Sequence, residues 1–113
     1  MKTVPRTFDA DRLRTLLPHE GVTYHVGVPD SATKHYFRQS EDVVAANEGS
    51  AMCMAAGYAL ETSGVPLVYM QNSGLGNIIN PLLSLYHLYR FPCVLLMGWR
   101  GHDQNDEPQH NQQ

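Results

Sequence analysis

Residues 43–51 read Val43-Val44-Ala45-Ala46-Asn47-Glu48-Gly49-Ser50-Ala51: an apolar pair, two alanines, a polar stop and a run of small residues. The change of character at Asn47 decides the fold. Asp42 to Ala46 suits a short apolar strand that stops at Asn47. Gly49 to Thr62 (GSAMCMAAGYALET) suits a helix whose Ala, Gly and Cys positions let it lie close against a sheet. Glu48 falls at the junction. An unpaired ionised carboxylate is costly to bury, so this one reaches water, finds a partner or takes up its proton. A carboxylate at a helix start is favoured by the helix dipole, a purely structural role. The sharper alternative is a carboxyl group that exchanges a proton with a ligand nitrogen. The flanking Ala45, Ala46 and Ala51 supply few competing polar partners, which favours that alternative.

The same alternation extends in both directions. Asp9 is placed to cap a helix through DADRLRTLLPHEG, with Leu13, Leu16 and Leu17 on one face and Pro18 and Gly21 ending it. Thr23 to Val28 reads as a short strand running into Pro29-Asp30-Ser31, and Ala32 to Gln39 as a second helix capped by Ser31 or Asp30. Beyond Gly64-Val65-Pro66 comes a strand over Leu67 to Met70. A helix from Ile78 to about Tyr89 follows, capped by Asn77 and tolerating Pro81 in its first turn. Cys93 to Met97 supplies a fourth strand. Strands alternating with helices predict an α/β domain: a flavodoxin-like, doubly wound parallel sheet with helices on both faces.

Composition narrows the function. With 113 residues, 42% hydrophobic and 17% charged, the chain is ordinary globular material of one domain. A net charge of −3 with eight scattered Lys and Arg argues against nucleic-acid binding. The longest apolar run, Phe91 to Trp99, is too short for a membrane helix, and the N-terminus lacks a signal-peptide core. Cys53 and Cys93, each inside an apolar segment, read as reduced core thiols of a cytoplasmic protein.

In doubly wound folds ligands gather at the carboxyl ends of the strands. Four polar, glycine-bearing loops fall there: Gly27 to Ser31, Asn47 to Gly49, Gln71 to Asn77 and Gly98 to Gly101. Gly74-Leu75-Gly76-Asn77 is either a close-approach loop or a turn with a helix cap, and matches no dinucleotide or phosphate-loop pattern. Ser31 lacks the nucleophile-elbow setting and suits binding or capping. The cluster His102, Asp103, Asp106, Glu107 and His110 has no metal-ligand spacing and reads as a solvated loop, so no metal site is assigned. His19, His25, His35 and His87 carry no pattern.

In order, GVPDS (Gly27 to Ser31), AANEG (Ala45 to Gly49), VYMQNSGLGN (Val68 to Asn77), NPL (Asn80 to Leu82), GWRG (Gly98 to Gly101) and DEPQH (Asp106 to His110) resemble the N-terminal, pyrimidine-binding domain of the thiamine diphosphate-dependent phosphonopyruvate decarboxylases. The resemblance runs from about Tyr24 to His110, and the sulfopyruvate decarboxylase α subunits share part of it. It implies that Glu48 is catalytic, hydrogen-bonding N1′ of the aminopyrimidine and sharing a proton with it. Val28, Pro29 and Asn77 would join Glu48 in binding the cofactor. Asp30, Ser31, Gln71, Asn72, Arg100 and His110 would face a 2-oxo acid, with Arg100 and His110 directed at a phosphonate. Such enzymes hold the diphosphate and Mg²⁺ on a second domain marked by a GDG…N signature, which this sequence lacks. The expectation is a C-terminally truncated pyrimidine-binding domain over residues 1–113 that works in a homo- or hetero-oligomer with a second domain or subunit. The rival expectations are a sulfopyruvate-type α subunit and a truncated, non-catalytic flavodoxin-like module.

Overall fold

A computed structural model of the chain describes residues 9–101. Four strands, β1 (Tyr24–Gly27), β2 (Val43–Val44), β3 (Pro66–Gln71) and β4 (Val94–Gly98), form one parallel sheet in the order β2-β1-β3-β4. This is the start of the flavodoxin-like order, whose switch point lies between β1 and β3. Three helices accompany it: α1 (Ala10–Leu16), α2 (Glu48–Thr62) and α3 (Leu75–Pro81).

Parallel sheets are covered on both faces, and β3 shows it: Leu67, Val68, Tyr69 and Met70 are each 0% exposed. On one face Val26, Val68 and Met70 meet Ala51, Met52, Ala55 and Ala56 of α2, Ile78 of α3 and Tyr86. On the other, Leu67 and Tyr69 meet Ala10 of α1, Val22 and Tyr36. The buried positions of α2 (48, 51, 52, 55, 56 and 59) recur at spacings of three and four, so the helix buries one stripe, four of its six residues alanine. Close packing of the sheet itself needs a glycine in β1. A Cβ on Gly27 would stand 2.2 Å from the Tyr69 carbonyl oxygen and 2.9 Å from its ring. Gly27→Ala is therefore expected to cost about 1–3 kcal/mol of stability, read from denaturant unfolding.

The helix expected over Ala32 to Gln39 does not form; residues 31–36 make successive turns. Two contacts divert the chain. Arg38 Nη1 donates to the carbonyls of His35 at 2.7 Å and Phe37 at 3.1 Å, occupying acceptors that a helix would give to later amides. Tyr36 is drawn fully under the sheet, 5.6 Å ring to ring from Tyr69. The last helical stretch also differs. It opens with a 3₁₀ turn, Asn72–Gly74, and α3 begins at Leu75, so Asn77 is inside the helix and is not its cap. The turn carries the chain straight into the helix and leaves the Asn77 side chain to another use. Pro81 has no N–H to give the Asn77 carbonyl, and the helix widens immediately after it into a π segment, Leu82–His87.

The thiols separate. Cys53 is exposed, since it lies off the buried stripe of α2, which corrects its assignment to the core. Cys93 is half-buried, and burial pushes its thiol up to about 11.

Beneath the face that carries α1 lies a polar cluster the sequence did not signal. Arg14 bridges Asp42 at 2.6 Å and Glu41 at 3.1 Å, and its guanidinium lies 4.8 Å over the Tyr36 ring. The Tyr36 hydroxyl is 2.8 Å from His25 Nδ1. Burial, followed by the nearby Arg14 charge, lowers the His25 pKa from its ordinary 6.5, against opposing pulls from Asp42 and Glu41. The unfolded chain thus takes up this proton more readily, so stability is undiminished above pH 6.5 and falls as the pH drops below it. Melting temperatures measured between pH 7.5 and 5.5 should decline less steeply for His25→Gln than for the parent chain.

Candidate functional site

Because all four strands are parallel, their carboxyl ends and the loops that follow share one edge. At its centre is the start of α2. Asn47 caps the helix, its Oδ1 accepting from Ser50 N at 2.8 Å, so the chain turns sharply and aims Glu48 inward. Glu48 is 8% exposed. The Asn77 Nδ2 donates to its Oε2 at 2.8 Å, which fixes the plane of the carboxyl group. Gly74 makes the space: a Cβ there would lie 2.6 Å from Glu48 Cγ and 3.0 Å from both Cδ and Oε1. Gly49 serves the other side, where a Cβ would come within 3.2 Å of the Asn77 carbonyl. Three sequence stretches therefore converge on one buried acid.

A second group forms between β3 and the loop after β4. Gln71 Oε1 accepts from Arg100 Nη1 at 3.2 Å, and the Asn72 side chain exchanges hydrogen bonds with the Arg100 backbone at 2.9 and 3.2 Å. A third follows β1. Val28 and Pro29 are half-buried at the strand exit, and the Val28 N–H donates to the Tyr69 carbonyl at 3.2 Å. Asp30 then locks a turn, its Oδ1 accepting from both N–H and hydroxyl of Thr33, while Ser31 is exposed. Among the described residues Asp30 Oδ2 is buried without a hydrogen-bond partner. The turn leans on the end of β4: a Cβ on Gly98 would stand 2.6 Å from Ala32 Cβ.

Of the expected site residues, Glu48 pairs with Asn77, Gln71 and Asn72 pair with Arg100, and Val28, Pro29, Asp30 and Ser31 line the exit of β1. His110, with the rest of the acidic and histidine cluster, falls outside the described residues. Sequence reasoning passed over Thr33, and it read Gly74 within a close-approach loop or a turn without naming Glu48 as what approaches it. Thr33 had a signal in its spacing, three residues after Asp30; Gly74 had its GLGN context, which signals close approach but not its partner.

A buried carboxyl group with one oxygen held by an amide, at the edge where parallel strands end, is chemically able to exchange a proton with a bound base. Comparison with known proteins identifies the family. Residues 10–113 match the family described as thiamine pyrophosphate enzyme, N-terminal TPP binding domain. The chain is 41% identical over 98 residues to a phosphonopyruvate decarboxylase of Streptomyces hygroscopicus, covering 80% of this chain and 24% of that protein. It is 43% identical over 54 residues to the sulfopyruvate decarboxylase α subunit of Methanothermobacter thermautotrophicus, covering 48% of this chain and 31% of that one. Among solved structures, a Mycobacterium smegmatis protein described as thiamin diphosphate-dependent superimposes with a TM-score of 0.73 at 26% identity, over 88% of this chain and 20% of that one. The chain thus spans about a quarter of the length of the curated phosphonopyruvate decarboxylase it matches. No helix among the described residues is long and apolar enough to cross a membrane.

Proposed function

This chain belongs to the thiamine pyrophosphate enzyme N-terminal TPP-binding domain family, and from that premise we propose that it is the pyrimidine-binding part of a 2-oxo acid decarboxylase acting on phosphonopyruvate, with phosphonoacetaldehyde and carbon dioxide as products. The observation that carries the reading is the Glu48 carboxyl group, 8% exposed and held at 2.8 Å by Asn77 at the carboxyl edge of the sheet.

Thiamine diphosphate, when bound, supplies the sink for the electron pair released as carbon dioxide leaves. The rest is work for side chains of this chain. Glu48 hydrogen-bonds a ring nitrogen of the aminopyrimidine and holds or returns a proton there. Asn77 keeps the carboxyl plane fixed, so that no reorientation is needed when the proton moves. Val28 and Pro29 bring apolar surface to the heterocycle and exclude water from it. Asp30, Ser31 and Gln71 stand on the substrate side, and Arg100 faces the phosphonate, for which its fork of donors is well matched. A second domain or partner subunit carries the diphosphate and Mg²⁺, so the active site lies across a junction.

The likeness to a sulfopyruvate decarboxylase α subunit favours one other substrate, sulfopyruvate, whose tail is also a tetrahedral anion. Reconstitution separates them. The chain mixed with a family diphosphate-binding domain, thiamine diphosphate and Mg²⁺ should release carbon dioxide from phosphonopyruvate faster than from sulfopyruvate. The opposite preference would shift the substrate, and release from neither would defeat the reading.

A further inference from the structure

The bend after β1 is closed by two residues that bond each other. Asp30 Oδ1 accepts from the Thr33 N–H at 3.0 Å and from the Thr33 hydroxyl, while the Asp30 N–H donates to Thr33 Oγ1 at 3.2 Å. Thr33 is 3% exposed. The bend also leans on the exit of β4, where a Cβ on Gly98 would stand 2.6 Å from Ala32 Cβ and 3.2 Å from Thr33 Cγ2. Two donors aimed at Oδ1 make the carboxyl oxygens unequal, since turning the group over would break both bonds.

The other oxygen is left over. Among the described residues nothing donates to Asp30 Oδ2, although it is buried. A buried acceptor without a donor costs free energy, so on a ligand-bearing edge it suits a donor that the ligand brings. Asp30 is itself only half-buried, and Ser31 and Ala32 beside it are exposed, so this oxygen lies just beneath that edge.

Elementary acid chemistry separates the anionic tails that could meet it. Phosphoryl groups hold their second proton up to about pH 6, so a hydrogenphosphonate carries one O–H. Carboxyl groups give theirs up at about pH 4, and two oxyanions at hydrogen-bond distance keep one proton between them. Near neutral pH that proton arrives with the phosphonate. A sulfonate is fully ionised there and offers acceptors alone.

Resting on the function proposed above, we propose that Asp30 is a specificity-determining residue: its Oδ2 accepts the O–H of a hydrogenphosphonate tail and opposes a sulfonate with an unpaired negative charge, so that phosphonopyruvate is preferred over sulfopyruvate. The repulsion of the wrong tail matters as much as the bond to the right one. Thr33 is a positioning residue, which settles which oxygen meets the tail.

The test is Asp30→Asn in the assembly reconstituted with a diphosphate-binding domain, thiamine diphosphate and Mg²⁺. The Thr33 N–H still requires an acceptor, so the amide oxygen takes the place of Oδ1 and the NH₂ group that of Oδ2. A donor then stands where the acceptor stood, at unchanged volume. Near pH 6 the ratio of kcat/KM for phosphonopyruvate over sulfopyruvate should fall about 10- to 100-fold, with phosphonopyruvate weakened and sulfopyruvate improved. An aspartate that only holds its bend would depress both substrates together, and that unchanged ratio would overturn the proposal. Thr33→Val should move the ratio in the same direction and Thr33→Ser restore it; a parent ratio in Thr33→Val would remove Thr33 from the account. Calorimetric titration with phosphonoacetate and sulfoacetate reads the same preference without turnover and, in the parent assembly, needs no variant to fold. The parent should bind phosphonoacetate about tenfold more tightly, and equal affinities would refute the inference. A parent assembly that decarboxylates neither 2-oxo acid would bring down the functional reading itself.

Discussion

Glu48→Gln is expected to lower decarboxylation by a factor of about 10²–10⁴ while leaving the fold in place, the range typical of losing a positioned proton-transfer group. The amide side chain keeps the volume that packs on Gly74 and can still accept from Asn77. It cannot give and take a proton at the ring nitrogen. The measurement is the exchange rate of the cofactor's C2 proton in the complete assembly, together with steady-state turnover and a melting curve. A parent-like exchange rate in a fully loaded variant would remove Glu48 from the chemistry, however similar the sequence is to known decarboxylases.

Gly74→Ala should be nearly as damaging, by a different route. The new methyl would overlap Glu48 Cγ at 2.6 Å, and neither the 3₁₀ turn nor the start of α2 is free to retreat, because both are pinned by side-chain hydrogen bonds. A stability loss of about 1–3 kcal/mol is expected, with turnover falling as the carboxyl group is pushed out of register. A double-mutant cycle isolates the cause. Glu48→Ala deletes Cγ, Cδ and Oε1, the three atoms nearest the added methyl of Gly74→Ala, so its stability cost should largely vanish. A cost that persists in the Glu48→Ala background would mean that the clash is with something other than this side chain.

Much of the frame was legible before any coordinates. Apolar runs bounded by Gly, Pro and Asn are a local property, so the four strands and α2 fell within a residue or two of their expected limits. Glu48 stood out because a charge among alanines is conspicuous on the page. What failed to show was everything set by partners distant in sequence. Ala32 to Gln39 has the length and the cap of a helix, yet Arg38 gathers its carbonyls and Tyr36 is pulled under β3. Asn77 sits where a cap belongs, but the preceding turn makes a cap unnecessary and the amide goes to Glu48, 29 positions away. Gly74 stood in a stretch that suited close approach, but its need for an absent Cβ against Glu48 exists only once α2 is laid beside it. His25 had no neighbour in the sequence to announce that Tyr36 would meet its ring.

The turn at Asn72–Gly74 has a consequence for how such a protein could diversify. Gly74 abuts the Glu48 side chain and Asn72 holds the Arg100 carbonyl, so under the function proposed above a substitution made there to admit a new substrate should disturb proton handling in the same stroke. Ser31 and Ala32 are solvent-facing and border the same edge through Gly98, with no such double duty. Changes of diet in descendants of this sequence should accumulate in that outer bend, while the three-residue turn, packed on Glu48 at one end and bonded to the Arg100 backbone at the other, stays frozen.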